Sequence, residues 1–268
     1  MNKNINKGIT ANRYNRNELL PENKSIVFIS FHKCATSLFS NYVLLNTKNL
    51  VQIDYQKLFY LDKIVKKISY EPRGYVYGVI RVLEKSHPLF PQTNFLLNKK
   101  NLNDKKLIFL IRDPRDILVS MYYSFGSTHG FSANEQIMKF QEQRQNKIRK
   151  MAIDEYVIEE ALTLRSKFEI INFLRKNVKN HILLKYEDMI ENYGSFYREL
   201  NEFMPLKEEL ELRLFERTRP HKEEQIVDHK RSGKVGGYKR KLKKGTIRKV
   251  NNILKNTLLN FNYTLINE

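Results

Sequence analysis

This sequence predicts an α/β fold with a central parallel sheet flanked by helices, and three observations predict it. Ser25 to Ser30, SIVFIS, and Leu107 to Ile111, LIFLI, are short apolar runs rich in branched residues, the pattern of fully buried strands. Each run passes through a few polar residues into apolar positions at helical spacing. After the first these are Leu38, Phe39, Tyr42, Val43 and Leu45; after the second, Ile117, Leu118, Met121 and Tyr122. Strand and helix patterns then go on alternating along the chain, which calls for parallel strands with helices on both faces.

The elements follow in order. Residues 1–24, polar and basic, read as a partly ordered arm, and residues 25–268 as one domain without repeats or linkers. A strand over 26–30 leads to a helix over 36–45. Asn49 to Asp54 reads as a second strand. Leu58 to Ile68 reads as a helix, apolar at 58, 61, 64, 65 and 68. Gly74 to Val82 is the next strand. Residues 84–105 carry Pro88 and Pro91 and hold a short helix around 93–99. A strand over 107–111 and a helix over 114–124 follow. Glu135 to Lys176 has helical periodicity in two parts, broken near Met151 to Asp154, where Asp154 is placed to cap the second part. A strand over 181–185 precedes helices near 193–204 and 207–217.

Two junctions carry chemistry. In Arg112-Asp113-Pro114-Arg115-Asp116, charges crowd the end of a buried strand and so cannot be core. They belong at the carboxyl end of the sheet, where open α/β folds bind ligands. Arg112 as a planar fork and Ser120 as a hydroxyl can both donate to a phosphate. In Phe31-His32-Lys33-Cys34-Ala35-Thr36-Ser37, one lysine and two hydroxyls precede a helix start. Backbone N–H groups there point at an anion, and the helix dipole favours it. A triphosphate loop reads GxxxxGK[ST]. This loop has no glycine, and its lysine comes before the hydroxyls, which counts against a Mg²⁺-dependent phosphotransferase.

A net charge of +19 implies an anionic partner of some kind: nucleic acid, acidic glycan, anionic lipid or a polyphosphorylated nucleotide. The sole cysteine, Cys34, excludes an internal disulfide framework and a cysteine-cluster metal site. It reads either as a thiol activated at a helix N-terminus or as a small buried hydrophobe. No secretory signal and no membrane-length apolar run are present, so a cytoplasmic protein is expected. His229 to Lys249 carries ten Lys or Arg and no acid, a solvated face in part.

The loop Lys33 to Ser37 resembles the 5′-phosphosulfate loop of sulfotransferases, a pattern near Lys-Ser-Gly-Thr-Thr. Arg112 to Asp116 with Val119-Ser120 looks like the same family's 3′-phosphate strand and helix. His181 to Asn192, HILLKYEDMIEN, is similar to the strand whose tyrosine, here Tyr186, contacts adenine. Arg231 to Leu242, RSGKVGGYKRKL, resembles the late Arg-Lys-Gly-x-x-Gly-Asp-Trp-Lys segment. Departures are Ala35 for glycine, Leu38 for a tryptophan that stacks on adenine, Ser232 for lysine and Gly237-Tyr238 for Asp-Trp.

The resemblance implies a P-loop-like three-layer fold with a central parallel sheet flanked by helices. It implies transfer of the sulfuryl group of 3′-phosphoadenosine-5′-phosphosulfate (PAPS) to a hydroxyl or amine of a glycan, glycolipid or small natural product. 3′-Phosphoadenosine-5′-phosphate (PAP) would be the product, with no metal, no nucleic acid and no transmembrane segment. Lys33 would meet the charge on the bridging and leaving oxygens. Cys34, Ala35, Thr36 and Ser37 would lie on the 5′ side, and Leu38 beside the adenine. Arg112, Ser120, Arg231, Ser232 and Gly233 would hold the 3′-phosphate. The expected acceptor is polar or anionic. For the general base, many members use a histidine before the arginine strand; His87 falls in that region and Glu84 is the alternative. His32 and His129 are further candidates. Two other classes stay open on the residues alone, a P-loop phosphotransferase and a non-catalytic basic polyanion-binding protein.

Overall fold

The computed structural model describes residues 23–63, 68–128, 130–219 and 233–265. Five strands, β1 (Ile26–Ser30), β2 (Val51–Ile53), β3 (Tyr75–Arg81), β4 (Lys106–Ile111) and β5 (His181–Lys185), form one sheet in the order β2-β3-β1-β4-β5. Every pairing is parallel. All five residues of β1 are buried, as a central strand covered on both faces must be. From β1 the chain first builds β2 and β3 on one side, then β4 and β5 on the other. That reversal leaves a crevice at the carboxyl ends of the strands.

Close packing sets the β1–β3 contact. A Cβ on Gly78 would stand 2.6 Å from the Phe28 carbonyl oxygen, and its φ is +127°, so only glycine fits there. The β1–β3 register shifts between Val27 and Ile29 beside it. The longest helix, α7 (Ile153–Asn177), covers the sheet with Phe168, Ile171 and Leu174 fully buried. The Phe168 ring lies 4.4 Å from that of Phe31 and 5.2 Å from that of Phe261. Burying each such side chain is worth about 1.5–3 kcal/mol. The Phe31 contact also anchors the start of the loop after β1.

The strands fall where the sequence places them, and the helices differ at their ends. Thr36 to Asn46 is a continuous helical stretch: an α turn, α1 (Thr36–Leu38), a π turn over Phe39–Val43 and a 3₁₀ turn over Leu44–Asn46. The helix expected over 58–68 is α2 (Tyr55–Tyr60); it starts earlier because Asp54 caps it, accepting from the Lys57 N–H at 2.9 Å. Residues 64–67 lie outside the described residues. The helix expected around 93–99 begins at Phe90 as α3 (Phe90–Leu96), since a proline in the first turn costs no hydrogen bond. A separate turn, α4 (Lys99–Leu102), follows, capped by Asn98.

After β4 come α5 (Pro114–Tyr123), a π turn over Ser124–Thr128, and α6 (Glu135–Ile148). The break between α6 and α7 is where the sequence puts it, but Asp154 does not cap α7. Its Oδ1 accepts from the Lys243 backbone N–H at 3.0 Å, and Ala152 at the cap position offers no side-chain acceptor. A helix the sequence reading did not place, α8 (Tyr186–Glu191), follows β5 directly, with Glu187 and Asp188 favouring its first turn. Then come α9 (Tyr193–Phe203) and α10 (Leu210–Thr218); α11 (Tyr238–Lys241) lies within the basic segment, α12 (Lys244–Ile253) starts in it, and α13 (Lys255–Asn260) follows.

Candidate active site

The loop from β1 to α1 turns back through two left-handed residues, Lys33 at φ 69° and Ala35 at φ 55°. Neither is glycine, so the loop holds a conformation L-residues seldom adopt. Between them Cys34 is fully buried, and burial pushes its thiol pKa up to about 12. Cys34 is thus the small buried hydrophobe of the two alternatives, with its side chain in the core. Lys33 Nζ reaches across to donate to Ser124 Oγ at 2.9 Å. Thr36 Oγ1 accepts from Arg81 Nε at 3.3 Å.

Arg112, at the end of β4, is the hub. Its Nη1 donates to the Lys33 carbonyl and its Nη2 to the Lys234 carbonyl, both at 3.2 Å. Its guanidinium lies 4.3 Å over the Tyr186 ring and 3.6 Å from Asp116 Oδ2. Its Nε is buried with no hydrogen-bond partner. Tyr186 in turn donates to the Gly233 carbonyl at 2.8 Å.

The remaining residues of the Arg-Asp-Pro-Arg-Asp run are structural. Asp113 caps α5 and takes both Nε and Nη2 of the buried Arg115, at 2.9 and 2.7 Å. Arg115 stacks on Tyr238 and donates to Asn251. Asp116 accepts the backbone N–H groups of Gly236 and Tyr238 at 2.8 and 2.9 Å. Burial raises the pKa of Asp116, against the lowering effect of Arg112. The run therefore fastens the late basic segment onto α5 and holds it beside Arg112.

These pieces line one cleft of about 700 Å³, the size of a ligand site. Lys33, Ala35, Thr36, Ser37, Leu38, Arg112, Ser120, Tyr186 and Gly233, all named from the sequence, line it together. Arg231, Ser232 and His129 lie outside the described residues. His32 lines the cleft. The sequence reading missed Arg81, Lys57, Tyr60, Arg217, Arg240 and Lys241, which also line it. Arg81 had a readable signal, a cation at the end of the buried strand YVYGVIR, the same signal that marks Arg112. The others come from short helices whose facing the sequence does not reveal.

The cleft runs across β1. Arg112, Ser120 and Tyr186 lie on its β4–β5 side, joined by Gly233 of the late segment. Lys57 and Tyr60, on α2, stand on its β2–β3 side, and Lys33 lies on the loop between. Residues 130–133 complete the α2 wall: the Tyr60 carbonyl accepts from Ser132 Oγ at 2.6 Å and from the Ala133 N–H at 3.1 Å.

The structure does not bring His87 or Glu84 into the cleft. His87 is 2% exposed, with both ring nitrogens engaged, by the Leu89 N–H at 3.0 Å and by Tyr60 Oη at 3.0 Å. Glu84 binds Arg144 at 3.0 Å and also Lys167. Burial alone would raise its pKa, but these two cations hold it at about 2. Arg144 is packed 3.9 Å over the Phe125 ring, so the pair is fixed as a brace between the end of β3 and helices α6 and α7. A general base has to reach the acceptor's proton, and neither side chain is placed to do so.

Burial also lowers the His87 pKa from 6.5 to about 4, so the native ring stays neutral at neutral pH. An unfolded chain would take up this proton near pH 6.5 and the folded one only near pH 4. The stability tied to the neutral ring is whole above the upper value and lost as pH falls to the lower one, roughly 3 kcal/mol in all. Urea unfolding at about pH 7 and about pH 4.5 is expected to show a steeper loss for wild type than for His87→Asn. Parallel losses would refute a buried neutral histidine.

Among the described residues, no cluster of His, Cys, Asp and Glu could hold a metal ion, and no helix is long and apolar enough to cross a membrane. A family model described as a sulfotransferase domain matches residues 23–262. No curated protein matches the chain. Among solved structures, a mouse sulfotransferase, SULT7A1, complexed with PAP, is similar at 14% identity and a TM-score of 0.53, over 88% of this chain and 84% of that one. Retinol dehydratase in a complex with retinol and PAP is similar at 15% identity and a TM-score of 0.49, over 92% of this chain and 84% of that one.

Proposed function

The chain belongs to the sulfotransferase domain family, and on that premise we propose that it moves the sulfuryl group of PAPS to a hydroxyl or amine of a polar or anionic acceptor. The observation that carries the choice of donor is Arg112: a buried guanidinium in a cleft, with an orphaned Nε, stacked on Tyr186 and joined to the Lys33 loop. An orphaned donor of this kind is costly unless a ligand supplies the acceptor. Lys57, Arg81, Arg217, Lys234, Arg240 and Lys241 line the same cleft, against Asp54 and Asp116 as its only carboxylates among the described residues. That balance suits a donor with a 3′-phosphate and a 5′-phosphosulfate.

The donor supplies a sulfuryl group whose bond to the 5′-phosphate breaks as a new bond forms to the acceptor, with the acceptor's proton free to pass to the released phosphate, a group of pKa about 6. The protein's part is to position and to stabilise charge. Lys33 meets the charge that grows on the bridging oxygen. Thr36, Ser37 and the N–H groups of the loop hold the 5′ side, with Arg81 beside Thr36. Arg112, Ser120, Arg231 and Arg240 take the 3′-phosphate, with Ser232 and Gly233 on the same segment. Leu38, Met189 and Ile190 give adenine an apolar surface in place of a stacked tryptophan.

The test of donor identity is ligand-dependent melting. PAP at about a hundredfold over its Kd is expected to stabilise the native state by about 2.7 kcal/mol, and AMP, which lacks the 3′-phosphate, by much less at the same concentration. Equal shifts from the two nucleotides would sink the assignment.

A further inference from the structure

Building on the sulfotransferase reading, we propose that the hydroxyl of Tyr60 meets the acceptor's reacting atom, and that His87 acts only through it, by fixing the direction of its O–H bond. One hydrogen-bond chain, from Leu89 through His87 to Tyr60, has a fixed polarity. The Leu89 N–H donates to His87 Nδ1 at 3.0 Å. A ring nitrogen that accepts carries no proton, so in the neutral imidazole the proton sits on Nε2. Nε2 lies 3.0 Å from Tyr60 Oη. The imidazole is therefore the donor in that contact and the phenol oxygen the acceptor. Tyr60 keeps its own proton, and no other group among the described residues takes it. The His87 ring cannot readily reverse this polarity, because it packs edge-on against Phe140 at 4.9 Å and is held by Leu89.

The place of Tyr60 supplies the rest. It lines the cleft from the α2 wall, on the β2–β3 side of β1. The proposed nucleotide contacts, Arg112, Ser120 and Tyr186, are on the other side, and Lys33 is between. A phenol on this wall, whose proton no described group takes, suits an acceptor atom with a lone pair to receive it. A hydroxyl has one; an alkylammonium, the form of an aliphatic amine below about pH 10, has none. The site therefore favours transfer to oxygen over transfer to an aliphatic amine. Throughout the step Tyr60 retains its proton, orienting the nucleophile and then hydrogen-bonding to the ester oxygen.

The experiment follows labelled PAPS with three hydroxyl probes, 2-naphthol, N-acetylglucosamine and water, and with 6-amino-1-hexanol, a simple alkylamine, as an amine-bearing probe. In Tyr60→Phe, which keeps the ring and removes only the hydroxyl, turnover with the best hydroxyl probe is expected to fall about tenfold at saturating PAPS. PAP affinity by calorimetry and the KM for PAPS should stay within about twofold, the scale of a merely indirect change. Nitrogen-15 spectra of the wild type should show His87 protonated on Nε2 between about pH 5 and 8. Unchanged turnover in Tyr60→Phe, a proton on Nδ1, or preferential sulfation of the aminohexanol nitrogen would overturn the proposal. So would a joint fall in melting temperature, PAP affinity and turnover, which would make the hydroxyl a structural prop. A wild type that binds no PAP would instead remove the sulfotransferase reading itself, and calorimetry separates that failure from the others.

Discussion

Lys33→Ala is expected to lower kcat by about 10²–10³, the usual cost of removing one charge-stabilising donor, while PAP affinity changes little. The reason lies in when the ammonium acts. On the proposed mechanism the negative charge near Lys33 grows as the sulfur–oxygen bond breaks, so its interaction is stronger in the transition state than with the bound product. In the structure Lys33 Nζ donates to Ser124 Oγ at 2.9 Å, a contact between two side chains that line the cleft. The fold should survive. Turnover is measured at saturating PAPS and PAP binding by calorimetry; a variant that turns over like wild type would end the catalytic role of Lys33.

Arg112→Ala should show the reverse split. PAP affinity is expected to fall by about 1.5–3 kcal/mol, roughly 10- to 150-fold, the range for hydrogen bonds to a charged group. Arg112→Lys should recover little of it, because an ammonium cannot reproduce the fork that reaches the Lys33 and Lys234 carbonyls together. Affinity for AMP should move far less than affinity for PAP. If both nucleotides lose affinity equally, Arg112 organises the cleft as a whole and does not select the 3′-phosphate.

The sheet and the two junctions that line the cleft were legible because they rest on strong local signals. Buried strands declare themselves as branched apolar runs, and a cation or hydroxyl just past such a run has few places to go other than the carboxyl edge. Lys33, Thr36, Ser37, Arg112 and Ser120 were found that way, and Arg81 could have been. Tyr60 was not legible. It ends a six-residue helix, and its position depends on a side chain twenty-seven residues away and on a loop more than seventy residues away. His87 and Glu84 failed as expectations for a related reason. Proximity in sequence to the active strand says nothing of which way a loop residue turns, and both turn inward, one to a phenol and one to two cations.

Ala35 stands at φ 55° and Lys33 at φ 69°, where glycine would be the unstrained choice. Holding an alanine there costs roughly 1–2 kcal/mol of native-state energy. Glycine would remove that strain but would also widen the ensemble of the unfolded chain, a change of about 0.4–1 kcal/mol in the opposite direction. The strain is the larger of the two, so the methyl group leaves the fold roughly 0.5–1 kcal/mol less stable than glycine would. Its other effect falls on the native loop, which has fewer conformations to give up when an anion arrives. If this loop holds the 5′ side of the donor as proposed, it is preorganised by steric restriction instead of by ligand contact, and the ordering entropy that a glycine-rich cradle loses at each binding event is here already lost during folding.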